Sequence, residues 1–346
     1  MSEYWKKRAT ELEKALNKKG IASNKEIEQV FDKAEKEIQD KIDLWYLKLA
    51  KNNNLDMVGA KQLLKANELK EFKWDVDTYI KYGTAIAISA YWLKELKNAS
   101  TKVHISNLEA IKLHTQQSIE KAFAKEKTIV SNMVKDVYKD SYGITMFNTQ
   151  FNVKTAFKVD KASDDIMQNI IEKVWASDGK NFSGRIWDKK TNMVNSLHQE
   201  LTRILIAGAS PDEAIANMSK YVNTAVKSAK SRAGTLIMTE QAYYGQEAQK
   251  EVYKDLDVEK VEIIATLDNR TSNICQTMDG KLVEMKDVEV GVTVPPFHPN
   301  CRSTTMPYFD EEFTIGETRA AKNSDGKTYK VPAGMKYAEW KEKYYK

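Results

Sequence analysis

All six prolines of this chain lie at Pro211 or later. Proline removes a backbone donor and clashes with the preceding turn, so it is the strongest single breaker of a helix. A stretch of 210 residues without one is free to build long helices. The low glycine count, 14 in 346 residues, points the same way. The length suits two or more domains. A composition of 42% hydrophobic and 30% charged residues suits packed cores under a strongly solvated surface.

Hydrophobic periodicity supports this reading. Residues 2–19 read as a polar helix, which Gly20 and Ser23-Asn24 are expected to break. Ile27, Phe31, Ala34, Ile38, Ile42, Trp45 and Leu49 then recur at spacings of three and four, the stripe of an amphipathic helix. Asn52-Asn53-Asn54 is expected to end it. A second apolar stretch carries Trp74, Val76, Tyr79 and Ile80. A third long helix is expected over about 107–139, and a break near residue 150 after Gly143. Further helices are read over 166–175, 187–207 and about 225–256, with a loop at 177–184 and Gly208 closing the second of them. Ser210-Pro211-Asp212-Glu213 has the cap, first-turn proline and first-turn carboxylates of a helix start.

The texture changes at Val258. Residues 261–266 look like a strand, Asp279-Gly280 is a hairpin turn signal, and 290–294 is another short extended piece. The expected fold is therefore mainly α with a small C-terminal α+β module. Four stretches follow: a long-helix region (1–150), a helical domain (151–257), a β-containing module (258–310) and an extended tail ending in a short helix (311–346).

Charge and motifs exclude more than they assign. A net charge of +5 and a pI near 8.7 permit contact with nucleic acid without demanding it. The modest basic run Lys227-Ser228-Ala229-Lys230-Ser231-Arg232 reads first as a solvated helix face. The first residues lack the apolar core of a signal peptide, and the most apolar run, 84–93, is too short to span a bilayer. Synthesis in the cytoplasm, reduced thiols and no membrane partner are the expectation. Two cysteines, Cys275 and Cys301, are too few for a disulfide framework. There is no P-loop, G-x-S-x-G, H-E-x-x-H or dinucleotide fingerprint.

Three candidate metal ligands fall in the module. His298-x-x-Cys301 has the spacing of zinc knuckles, Cys275 supplies a third donor, and Asp268 is the nearest fourth. The plainer reading is that Pro295, Pro296 and Pro299 fix the backbone around His298, whose ring locks a loop by hydrogen bonding. Glu240, Asp268, Arg270, His298 and Arg302 together offer the acid, base and cation of a nuclease or transferase. The plainer reading of Asp268-x-Arg270-Thr271 is a capped turn with a local salt bridge. No catalytic residue is assigned. His104, His114 and His198 read as surface or core-edge residues, and most of the seven tryptophans as core.

These residues carry a resemblance. Asp268-x-Arg270-Thr271, Cys275, Gly280 and Pro295-Pro296-Phe297-His298-Pro299-Asn300-Cys301-Arg302 follow one another in the order and rough spacing of the C-terminal signature of phage minor head, or head-morphogenesis, proteins of the Mu F-like type. The similarity extends over about residues 160–345. The end, Val331-Pro332-Ala333-Gly334-Met335 and onward, resembles minor capsid proteins of phages of Gram-positive bacteria. The resemblance implies a virion protein of the capsid interior or portal vertex, made in the host bacterial cytoplasm. Its implied partners are the portal protein, the scaffold or major capsid protein, and double-stranded DNA. Its implied roles are head assembly, DNA packaging or DNA ejection, with no required cofactor. The alternatives are a nuclease or a zinc-stabilised DNA-binding module. One departure stands out. Many relatives carry cysteine where this chain has Ser272 and Ser303, so the fold is expected to survive here without metal.

Overall fold

A computed structural model describes residues 2–51, 57–85, 88–153, 169–207, 210–308, 318–322, 328–332, 339 and 343. Among the described residues the proline-free stretch is mostly helical. Helices α1 (Ser2–Lys51), α2 (Met57–Lys61), α3 (Ala66–Ala85), α4 (Ala90–Thr101), α5 (Asn107–Val153) and α6 (Phe182–Ala207) precede α7 (Pro211–Asp255). The small module follows, with β1 (Lys260–Ile264), the six-residue α8 (Asn273–Met278), β2 (Leu282–Glu284), a short 3-10 turn and β3 (Thr304–Tyr308). Strands β4 (Thr318–Lys322) and β5 (Thr328–Pro332) pair antiparallel within the tail. The chain is thus mainly α with a small α+β module, as its sequence implies.

Two compact units emerge. One comprises Met1–Asn24, Val130–Asn181 and Gly234–Lys346, the other Lys25–Ile129 and Phe182–Ala233. Each is assembled from stretches far apart in sequence.

The second unit is a helical assembly built on the stripe read from the sequence. Ile27, Phe31, Ala34, Ile38, Ile42, Trp45 and Leu49 are all buried on α1. Phe31 meets Phe123 of α5 edge to face, at a centroid distance of 5.1 Å. His114 is core rather than core-edge. Its ring stacks on Phe72 at 5.0 Å and accepts a hydrogen bond from Trp45 Nε1 at 3.2 Å. In the second apolar stretch, on α3, Val76 is buried while Trp74 is exposed. Ser210 caps α7 as expected, its hydroxyl accepting from Glu213 N at 3.3 Å, a contact that contributes about 1 kcal/mol.

Several boundaries differ from expectation. Helix α1 runs through Gly20 and Ser23-Asn24 without a break. Gly20 allows a close approach instead, because a Cβ there would stand 3.0 Å from Met238 Sδ of α7. Gly245 of α7 does the same, its missing Cβ lying 2.9 Å from Leu16 Cδ1. Helix α5 continues past Gly143 to Val153, α6 starts at Phe182, and α7 is continuous from Pro211 to Asp255. Residues 169–172 are helical, while 166–168 lie outside the described residues, as do Asn52-Asn53-Asn54, Gly208 and most of 335–345.

In the module, β2, β1 and β3 form an antiparallel sheet in that order. Asp279-Gly280 is not a hairpin turn. It carries the chain from α8 into β2, with Gly280 at φ 74°, a conformation that costs glycine little. The Gly280 N–H donates to Ile263 O at 2.8 Å, so the turn is tied to β1. Residues 290–294 form a tight turn closed by a single bridge between Val290 and Val294, not an extended piece. Strand β3 had no forecast. It is an edge strand, which lets it hold Pro307 opposite Val261. One face of the sheet packs on α1, where Ile264 and Met306 meet Trp5 and Ala9. The nearly buried pair Lys6–Glu262, at 3.3 Å, stands beside them. From α7, Gln246 donates to Thr304 Oγ1 at 2.7 Å and accepts from Thr305 Oγ1 at 2.9 Å.

A candidate thiol–imidazole centre

The site grows from two tight local structures. The first is the start of α8. Thr271 donates to Thr266 O and to Asp268 Oδ1, and Ser272 caps the helix by accepting from Cys275 N at 3.4 Å. These bonds place Cys275 in the first turn, buried against Ala265 and Cys301. The second is the turn His298-Pro299-Asn300-Cys301. Cys301 N donates to His298 O at 3.2 Å, and Asn300 has φ 60°. Proline at the second position and a positive φ at the third are the pattern of a type II turn. Asn300 N donates to Thr239 Oγ1 on α7 at 3.1 Å, which ties the turn to the helix. Pro295 and Pro296, joined by a cis peptide bond, are buried just upstream.

Between them these structures bring three donor atoms together. Cys275 Sγ lies 3.2 Å from His298 Nε2 and 3.6 Å from Cys301 Sγ. All three atoms lie within 4.8 Å of one another. Both cysteines are free thiols and buried, while His298 is partly exposed. His298 Nδ1 is 2.8 Å from Pro299 O. A carbonyl can only accept, so Nδ1 carries the proton and Nε2 presents its lone pair. That lone pair faces the thiol of Cys275 and the hydroxyl of Ser272, which is 2.8 Å away. The two thiols differ. Hydrogen bonding from Cys301, against the opposing effect of burial and with help from Ser272 and Ser303, brings Cys275 well below the usual thiol range. Its acidic neighbour and burial push Cys301 up. Two thiols of unequal acidity beside an imidazole lone pair make a soft-donor arrangement.

The other candidates are committed elsewhere. Asp268 is not a fourth ligand. Arg302 grips it with two hydrogen bonds, Nη1 to Oδ2 at 2.5 Å and Nη2 to Oδ1 at 2.8 Å. Burial alone raises its pKa, but Arg302, Arg270 N and Thr271 outweigh that and hold the carboxyl below the usual range. The local salt bridge read within 268–271 is thus a long-range one, to Arg302. Arg270 contributes its backbone N–H at 3.0 Å, and its side chain is exposed. Glu240 is fully buried and accepts from Trp175 Nε1 at 3.0 Å. Sequence reasoning passed over Gln246, which reads both threonines of β3. The available signal was polar side chains recurring around α7 over 240–249, where the helix is buried on all sides.

A long-helix protein closed by a compact Cys/His-bearing sheet module is the class this architecture defines. Its relationship is given by residues 195–306, which match the family described as phage Mu protein F like protein. The resemblance to the Mu F-like phage head proteins read from the signature is borne out over that segment, which runs from within α6 through α7 to β3. No curated protein and no solved structure matches the chain. Among the described residues, no helix is long and apolar enough to cross a membrane.

Proposed function

We propose that the chain is a minor capsid, or head-morphogenesis, protein of a tailed phage. In this reading it associates with the portal vertex and contributes to head assembly, DNA packaging or DNA ejection. Its place is the virion, after synthesis in the host cytoplasm. The single observation that carries this is the Mu F-like match over residues 195–306. The chemistry of the candidate residues supports a non-enzymatic role. A general acid or base needs a group free to exchange a proton with substrate. Asp268 is held by Arg302 and Glu240 by Trp175, so the two carboxylates a nuclease would need serve the fold.

The test is a pull-down of the portal protein from phage-infected cells with the tagged full chain. The expected result is co-purification that survives nuclease treatment, because the contact is protein to protein. Loss of the portal on nuclease treatment favours the DNA-binding alternative, and no capture at all removes the portal role. A nuclease assay on the same preparation is expected to show no turnover that His298→Ala abolishes.

A further inference from the structure

Cys275, Cys301 and His298 stand in the arrangement of a three-ligand site for a tetrahedral metal ion. A zinc ion takes thiolate sulfur at about 2.3 Å and imidazole nitrogen at about 2.0–2.1 Å. In a tetrahedron these bonds set edges of about 3.8 Å between two sulfurs and about 3.6 Å between sulfur and nitrogen. The 3.6 Å between the two Sγ atoms and the 3.2 Å from Cys275 Sγ to Nε2 lie within a few tenths of an ångström of those edges. The third edge, Cys301 Sγ to Nε2, lies within 4.8 Å, so the three donors converge on one point. Metal-bound histidines commonly donate their second ring N–H to a carbonyl or carboxylate, which aims the other nitrogen at the metal. His298 already does so through Pro299 O. Two of the donors are buried and the third partly exposed, which leaves an entry path on the histidine side.

We propose that this centre binds one zinc-like divalent ion through Cys275, Cys301 and His298, and that its fourth coordination position is open beside Ser272 to an outside ligand such as water. Ser272 Oγ, 2.8 Å from Nε2, stands beside that corner and is engaged as the cap of α8. A neutral hydroxyl is also a poor partner for zinc beside thiolates. Binding displaces the thiol proton of Cys301 and any remaining on Cys275, so uptake releases protons. The inference is independent of the head-protein reading.

The full chain, purified under a thiol-free reductant, is loaded with Zn2+ or Co2+, desalted and analysed for metal. The expected result is one equivalent per chain. The Co2+ form is expected to show thiolate charge-transfer absorption and the intense visible bands of four-coordinate cobalt. Cys275→Ser and His298→Ala are each expected to lose the ion while keeping the helical circular dichroism of the parent. Arg270→Ala, which alters an exposed side chain next to the site, is expected to bind normally. Ser272→Cys, which places a thiol in the open corner, is expected to tighten binding by about tenfold or more. Metal content below about a tenth of an equivalent in the folded wild-type chain overturns the site. So does unchanged uptake by both Cys275→Ser and His298→Ala. Unchanged affinity in Ser272→Cys overturns the assignment of the open corner.

Discussion

The module at 258–308 and the helical unit formed by Lys25–Ile129 and Phe182–Ala233 handle buried polar groups in opposite ways. In the module, Asp268, Thr271, Asp279, Thr304 and Thr305 are buried, and each has named partners. Asp279, for example, accepts from Ala265 N at 2.8 Å and so fastens the turn after α8 to the end of β1. In the helical unit the apolar stripes are continuous, yet His114 Nε2, both polar atoms of Gln117 and both carboxylate oxygens of Glu126 are buried without a hydrogen-bond partner. The physical lesson concerns size. A small sheet has little apolar area to bury, so hydrogen bonds must specify its one arrangement. Long amphipathic helices bury enough apolar surface to tolerate a few polar groups at a cost.

The largest expected effect breaks the module. Arg302→Ala leaves the Asp268 carboxylate buried without its cation, a loss of about 3–5 kcal/mol. Chemical denaturation is expected to show an early transition that the wild type lacks. If the module tolerates the change, hydrogen bonding does not govern it.

The next effect falls on the helical unit in acid. Burial holds the pKa of His114 down to about 3, with the charges of Lys41 and Lys48 adding to it. Asp75 lies 3.9 Å from Nε2, but a neutral ring makes no ion pair with it, and Asp75 instead pairs with Lys41. The unfolded chain takes up a proton near pH 6.5 while the folded one resists until about pH 3. Stability is therefore full above about pH 6.5 and falls as the pH drops toward 3, by about 3 kcal/mol at pH 4. A His114→Leu variant is expected to flatten this slope in thermal melts, even if it is less stable at neutral pH.

Glu126 has the opposite sign. Burial raises its pKa to about 7, with Lys189 and Arg232 offsetting part of the shift. The protonated form is the stable one, so its contribution is full below about pH 4.5 and is lost as the pH rises through 7. Glu126→Gln mimics the protonated form. It is expected to raise stability by about 3 kcal/mol at pH 8 and by only about 1 kcal/mol at pH 5. Equal gains at both pH values would contradict the assignment.

The smallest effect tests packing within the other unit. Gly245→Val forces a side chain against Leu16 and is expected to cost about 1–2 kcal/mol, read from the thermal midpoint.

How much of this was legible depended on how far apart the interacting residues lie. The stripe from Ile27 to Leu49 was readable because helical period is local. So was the loop around His298, since Pro295, Pro296 and Pro299 act within a few residues of it. Gly20 was misread as a break because its value lies in Met238, far along the chain. Asp268 was misassigned for the same reason, since Arg302 is 34 residues away. Strand β3 was hidden because Pro307 reads as a breaker unless the strand is known to be an edge. The serial stretches read from composition follow the chain, whereas the compact units draw on segments joined only in space.

The central claim is that this chain is a component of a phage head. The most direct measurement is quantitative mass spectrometry of purified procapsids and mature virions from a phage encoding it. The account predicts the chain in both, at a few copies per particle relative to the major capsid protein, and reduced particle infectivity when its gene is deleted. Its absence from both kinds of particle would contradict the account.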